Sequence, residues 1–452
     1  MLQHTASRSV LSGNGAPALK GFLRPPCVLV MASFPPRECG IATFTKDVVD
    51  SLSEHSGVRC DVIAIEERGS EARTYGPQVV ARLKSDDSGS YGLAAAFINS
   101  HSASALLVQH EYGLFGGEDG EAILGLLAAV RKPVIVALHT ILPAPSAHHR
   151  AVTQRLCALA ASVVVLSRTG QDILQHVYAV GGETIRVIPH GVPDVPNEST
   201  LRAKQKLGLG ERMLISTFGF LSRGKGLEDA IEAMRPVALA HPDALYLILG
   251  QTHPVVRQHE GESYRQALRA LVVAHGLQRS VDFVDRYLSI EDLLAYLSAT
   301  DIYLTPYLNA GQIVSGTLAY AVGCGKAIVS TPYLYARELL AEERGLLCEF
   351  RDPASIAARV TVLLDHPQQR HAMERRAYQY GRSMTWSNVA ASYARVLRDA
   401  TSGEALEMLG PPPGPTPILA QLAPRGAFGA DLRFPAATRS LGQERPPGPE
   451  GA

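Results

Sequence analysis

The chain carries no surplus charge: 43 Lys plus Arg stand against 43 Asp plus Glu. No global field therefore favours a nucleic acid or an anionic membrane surface. Cysteine is scarce. The six, at 27, 39, 60, 157, 324 and 348, show no C-x-x-C spacing, which argues against zinc knuckles and dithiol redox centres. Several sit inside apolar runs, as free buried thiols do, so a reducing, cytoplasmic setting is expected. No uninterrupted apolar run approaches the length that spans a bilayer. The opening MLQHTASRSVLSGNGAPALK has no apolar stretch long enough for a secretory signal. Several catalytic signatures are also missing. The sequence contains no G-x-x-x-x-G-K-[ST], H-E-x-x-H, G-x-S-x-G or D-x-D. No metal and no cofactor are expected.

What is present is alternation. CVLVMASF, CDVIAIEE, ALLVQHE, PVIVALHT, SVVVLS and TIRVIPHG read as strands. Between them lie helical patterns such as ATFTKDVVDSL, with Phe44, Val48 and Leu52 at four-residue spacing. Short apolar runs separated by helices predict a parallel sheet covered on both faces. The pattern pauses at VPDVPNESTLRAKQKLGLGE, 192–211, and resumes with MLISTFGF, ALYLILG, VDFVD, IYLTPY, AIVSTP and GLLCEF. The 452 residues suffice for two such units. The expectation is an α/β chain of two doubly wound, Rossmann-like domains facing across a cleft. Helical pattern returns at 367–381 and 386–400. Residues 1–24 read as a disordered arm. The stretch 402–452 reads as a disordered tail, because 10 of the chain's 29 prolines fall in it.

The segment Asn309 to Tyr333, NAGQIVSGTLAYAVGCGKAIVSTPY, follows a strand, passes a Gly-bearing loop and enters a small-residue helix. The first amides of a helix have no partners within it and make an anion site. This segment resembles the donor-site segment of family 4 retaining glycosyltransferases, which have the GT-B architecture. In that family a glutamate begins the segment and another follows eight residues later. Laying GCGKAIVS on the family's small-residue run puts Gln312 and Tyr320 at the two glutamate positions. A second match is TFGFLSRGKGLEDAI, which resembles the family's G-R-L-x-x-E-K-G. Lys225 stands at the lysine, Phe220 at the arginine, and Arg223 lies nearby. The resemblance covers roughly residues 27–400, with its motifs in order. It implies an acceptor domain at 25–195, a donor-nucleotide domain at 210–382 and a helix at 383–401 crossing back to the first.

Ligands on open parallel sheets bind beyond the carboxyl ends of the strands. His110 and Glu111 end one predicted strand, His139 another and His190 a third. Each histidine alone reads first as a buried structural ring; together they suggest a polar cleft. The family places a strand-end histidine beside the donor sugar, which is His139 here, and His190 orders the turn of PHGVPD. The loop after the first strand, PPRECGIATF, supplies Gly40 on the acceptor side and Thr43 as a helix cap. Ser315, Gly316 and Thr317 offer hydroxyls and main-chain donors to phosphate, or Ser315 is a plain N-cap.

The resemblance thus implies transfer of a hexosyl group from a nucleotide-sugar donor to a carbohydrate or other hydroxyl acceptor, with retention and without a metal. His139, Lys225 and Gln312 would be catalytic. Gly40, His110, Glu111, Arg223, Ser315, Gly316, Thr317 and Tyr320 would bind substrate. Two rivals stay open, because an amide and a phenol replace the acids. One is a phosphorylase-like or epimerase-like enzyme of the same architecture; the other is a sugar-binding protein without catalysis.

Overall fold

Uninterrupted apolar runs become buried parallel strands. The computed structural model describes residues 26–67, 73–196 and 198–402. The expected arm, and the expected tail beyond Ser402, lie outside the described residues. The first sheet contains β1 (Cys27–Ala32), β2 (Arg59–Glu66), β3 (Val79–Lys84), β4 (Ala105–His110), β5 (Val134–Leu138), β6 (Ser162–Val165) and β7 (Ile185–Val187). Its order is β3-β2-β1-β4-β5-β6-β7, with every pairing parallel. The second sheet contains β8 (Met213–Phe218), β9 (Ala244–Leu249), β10 (Val281–Val284), β11 (Ile302–Thr305), β12 (Ala327–Ser330) and β13 (Leu346–Leu347). Its order is β10-β9-β8-β11-β12-β13, again parallel. This is the expected α/β, doubly wound arrangement.

Each sheet buries a hydrophobic cluster on either face. Leu29, Leu106 and Val136 face one side of the first sheet, and Val30, Leu107 and Ile135 the other. Ile215 and Ile248 face one side of the second, Leu214 and Leu247 the other. Every residue of β1, β4 and β5 is buried, which is why these strands lack the polar alternation of a half-exposed sheet. Edge strand β3 is different. In VVARLK only Leu83 is fully buried, so it carries no continuous apolar run, and sequence patterning missed it.

In both sheets the strand order reverses beside the first strand, between β1 and β4 and between β8 and β11. These reversals are where crevices open at the carboxyl ends of the strands. One packed unit holds both sheets, and the chain crosses between them twice. The outgoing and returning segments pair: Val192 N–H donates to Met384 O at 2.9 Å and Trp386 N–H to Val192 O at 3.0 Å. Beyond that pair the helix Trp386–Thr401 lays Val389, Tyr393 and Val396 against Val28, Val48 and Leu52 of the first lobe.

Tyr393 is 1% exposed within that contact. Tyr393→Ala should therefore destabilise the protein by about 3–5 kcal/mol in denaturant titrations, the range for deleting a large buried ring. A loss below about 1 kcal/mol, the range of surface substitutions, would mean that the returning helix does not support the first lobe.

Candidate functional site

The ends of β8 and β9 are forced together. Gly219 (φ 123) and Gly250 (φ 131) follow them, and a side chain on Gly250 would come within 2.4 Å of Gly219 O. Both positions need glycine's freedom at positive φ. They form the floor of a cavity of about 210 Å³. Its second-lobe walls include the rings of Phe218, Phe220 and Tyr287, with Leu288 and Leu293. Its first-lobe wall is the start of the helix Gly40–Ser56, through Gly40, Thr43, Phe44 and Asp47, together with His190. The cavity thus lies between the lobes, at the reversal point of the second sheet.

The helix Gly316–Gly323 opens onto this cavity through Gly316, Thr317 and Tyr320. Ser315 is its N-cap, accepting from Leu318 N–H at 3.3 Å, with its hydroxyl 3.1 Å from that of Thr317. A side chain on Gly316 would lie 2.8 Å from His190 Nε2, so the histidine is pressed onto the helix start. His190 Nδ1 donates to Gly191 O at 2.8 Å, and burial lowers its pKa to about 4. The ring is therefore neutral near pH 7. Thr317 Oγ1 meets Tyr307 Oη at 2.7 Å, and Lys225 Nζ rests 3.8 Å from the Tyr307 ring centroid. Lys225 also contributes, after burial, to lowering the His253 pKa. Tyr307 thus carries a cation over its ring and meets the first turn of a helix through its hydroxyl.

The other sequence candidates sit elsewhere. His110 is 1% exposed, and neither ring nitrogen has a described partner. Its ring stacks on Phe115, and burial lowers its pKa to about 3. His139 is behind Phe44, with ring centroids 4.7 Å apart, and its Nε2 meets Gln109 Oε1 at 2.9 Å. Burial, then His190 and His110, push its pKa to about 3. Neither ring lines the cavity. Glu111 accepts from Tyr112 N–H at 3.1 Å and Thr140 Oγ1 at 2.7 Å, tying down its own loop. Arg223 pairs with Glu260 at 3.1 Å on the exposed rim. Gln312 Nε2 donates to Val314 O at 2.8 Å, which folds the amide against its own loop. Thr43 does not cap the first helix. Cys39 does, its Sγ accepting from Ala42 N–H at 3.4 Å, because the helix begins four residues earlier than a Thr43 cap requires.

Asp47 is the residue that sequence patterning missed. It follows Phe44 by three and precedes Val48, so it lies partly buried at the edge of the apolar stripe of its helix. Its Oδ2 accepts from Tyr320 Oη at 3.3 Å across the lobes. Burial raises its pKa to about 6, although the Tyr320 bond lowers it. The folded chain therefore holds this proton more tightly than the unfolded chain. Stability is undiminished at low pH and falls as pH rises to about 6. Asp47→Asn should accordingly stabilise the protein by about 1–3 kcal/mol near pH 7.5 and by much less near pH 4.5. Melting curves at the two pH values check this. A difference that does not change with pH would place the carboxyl in open water.

The family of group 1 glycosyl transferases matches residues 199–380, and glycosyltransferase family 4 matches residues 39–194. D-inositol 3-phosphate glycosyltransferase of Corynebacterium efficiens is 26% identical over 298 residues, covering 61% of this chain and 67% of that protein. Glycogen synthase of Mycobacterium tuberculosis is 27% identical over 257 residues, covering 54% and 55%. The chain thus spans little more than half the length of that relative. Among solved structures, Anabaena HepE in complex with UDP matches with a TM-score of 0.65 at 16% identity, over 83% of this chain and 100% of that one. Sucrose-phosphate synthase of Thermosynechococcus elongatus matches with a TM-score of 0.68 at 16% identity, over 84% and 100%. No helix among the described residues is long and apolar enough to cross a membrane. With two lobes of parallel sheet and a cavity between them, the chain belongs to the group 1, family 4 glycosyltransferases of GT-B architecture.

Proposed function

We propose that this glycosyltransferase moves a hexosyl group from a nucleoside diphosphate sugar to a hydroxyl acceptor, with retention at the anomeric carbon and without a metal. The observation that carries the reading is that Thr317, which lines the aromatic cavity at a helix start, is bonded to Tyr307, whose ring carries the Lys225 ammonium. The rings of Phe218, Phe220 and Tyr287 offer flat faces to a base. The free amides at the start of the Gly316–Gly323 helix and the Lys225 ammonium offer positive charge to a diphosphate.

In this reading the reaction needs charge stabilisation where the sugar–phosphate bond breaks. Lys225 and the amides near Gly316 and Thr317 meet the charge that develops on the leaving diphosphate. Among the described residues, the side-chain groups able to hold an ion are Cys27 with Asp61 and His101, and Glu118 with Asp119 and His148. Neither group lines the cavity. The acceptor enters from the first lobe, along Gly40 and Thr43. Gln312 serves the donor sugar by turning its amide from Val314 O toward a hydroxyl. Retention and the hexosyl donor rest on the family resemblance; HepE, the fold neighbour, is described with UDP-glucose.

The aromatic wall favours this reading over a phosphorylase-like one, since inorganic phosphate or a sugar phosphate has no flat face to place there. Thermal-shift screening against nucleoside diphosphates and their sugars tests the ligand class, because a ligand bound only by the folded state raises its stability. The expected result is a rise with at least one nucleoside diphosphate sugar. A rise with sugar phosphates alone would transfer the site to the rival.

Lys225→Ala should lower turnover on the order of a hundredfold, as loss of a preorganised group at a leaving atom does. Its melting temperature should barely change, because Lys225 is partly exposed and its contact is with one ring. Single-turnover rates together with a melting curve check both halves. Near-normal rates in a folded variant would remove Lys225 from the reaction.

Gln312→Ala should weaken use of the sugar donor and leave binding of the free nucleoside diphosphate nearly unchanged. A neutral hydrogen bond contributes about 0.5–1.5 kcal/mol net, so the effect expected is roughly threefold to tenfold. Equal losses for both ligands by calorimetry would contradict contact with the sugar.

A further inference from the structure

Asp47 belongs to the first lobe, yet it faces a cavity whose floor and aromatic walls belong to the second. Its carboxylate has no ion-pair partner among the described residues. The adjacent cation on its own helix, Lys46, is turned to Asp50. The titratable group bonded to it is Tyr320, from the helix Gly316–Gly323; His190 lines the same cavity, its ring 5.0 Å from Phe44 and 6.0 Å from Tyr320. His190 is kept neutral by burial. The acid is thus held between lobes by one neutral hydroxyl at 3.3 Å, a long contact for O–H···O.

A carboxylate in this position costs stability, since burial disfavours its charge. A residue that opposes folding and lines a cavity is a candidate for ligand contact. The chemistry narrows the ligand. Two carboxylate oxygens accept two hydroxyl protons at once, and Tyr320 occupies part of one oxygen only. Close by stand the Phe218 ring, 6.3 Å from that of Tyr320 and nearly parallel to it, and the Phe220 and Tyr287 rings, 6.1 Å apart. A flat group joined to a pair of neighbouring hydroxyls fits both features.

We propose that Asp47 accepts the ribose diol of the nucleotide held by the second lobe, so that the nucleotide itself ties the two lobes together. This inference rests on the nucleotide-donor reading above. Tyr320, which stands on the second lobe and cannot chelate a diol, serves to steer the Asp47 carboxylate. No bond is made or broken; the interaction is a pair of charge-assisted hydrogen bonds, stronger than neutral ones.

The test uses calorimetry on the full chain with UDP, ADP and GDP, and with the 2′,3′-dideoxy form of whichever binds. The wild type should prefer the ribonucleotide to its dideoxy form by about tenfold or more, as loss of hydrogen bonds to a charged group implies. Asp47→Asn should bind the two forms with nearly equal affinity, and Tyr320→Phe should keep most of the preference. Small-angle scattering should show compaction on adding the ribonucleotide to the wild type and none with Asp47→Asn. If Asp47→Asn discriminates between the two forms as strongly as the wild type, the diol assignment is overturned while the nucleotide reading stands. If the wild type binds none of the nucleotides, both are overturned.

Discussion

The contact on which the architecture depends is the pair of crossings between lobes. Val192 on the way out and Thr385 on the way back form a parallel bridge. The Trp386 ring packs so closely on Gly191 that an added Cβ would lie 2.1 Å from it. Val192 is fully buried against Gly323, at the end of the helix that opens onto the cavity. Arg382 joins the same knot, pairing with Asp194 and donating to Gly323 O at 2.6 Å. Two chain segments bonded at one point resist sliding but leave rotation about that point as the soft motion, which is the geometry of a hinge. Among the described residues, no other backbone pairing connects the two sheets.

Beyond the hinge, the lobes touch through side chains that each answer an unmet backbone or surface need. Ile313, on a second-lobe loop, is 3% exposed in the core cluster of the first lobe. The Glu338 carboxylate accepts from Arg168 N–H at 2.8 Å and from Thr169 N–H at 2.9 Å, at the start of a first-lobe helix. That is a helix cap supplied from the opposite lobe, where the free amides and the helix dipole favour a negative charge. Glu38 accepts from Gln251 Nε2 at 3.2 Å near the cavity mouth. The inter-lobe contacts thus combine one buried apolar anchor, Ile313, with polar bonds from Glu338 and Gln251.

The fold was legible in the sequence because buried parallel strands leave an uninterrupted apolar signal. β3 escaped because an edge strand with most side chains exposed leaves none. The site was legible only by height along the strands. Strand-end position put His110, His139 and His190 at the cleft level, but it does not say which way a ring turns. His190 reaches the cavity; His110 and His139 turn into packed surroundings. The same ambiguity hid Asp47. Reading Phe44, Val48 and Leu52 as a core stripe drew attention away from the acid set beside them. An ionisable residue next to that stripe was the available signal, since burial there must be offset by a specific role.

Two of the three departures from the family motifs acquire a common physical sense in this geometry. Phe220 and Tyr320 stand where an arginine and a glutamate are expected, and both side chains line the cavity. A cation and an anion facing one cavity partly cancel; two rings in their place leave the walls more apolar. A charge that remains there is less screened, and each is correspondingly stronger. Lys225 stands on the second lobe and Asp47 on the first. Under the proposed diol contact, the acid sits on the lobe opposite the one that carries the helix amides. In that proposal the charge that binds and the charge that closes are separated across the two crossings. An interaction made only on closure contributes to the closed state alone, and that difference between states is what allows a ligand to shift the equilibrium.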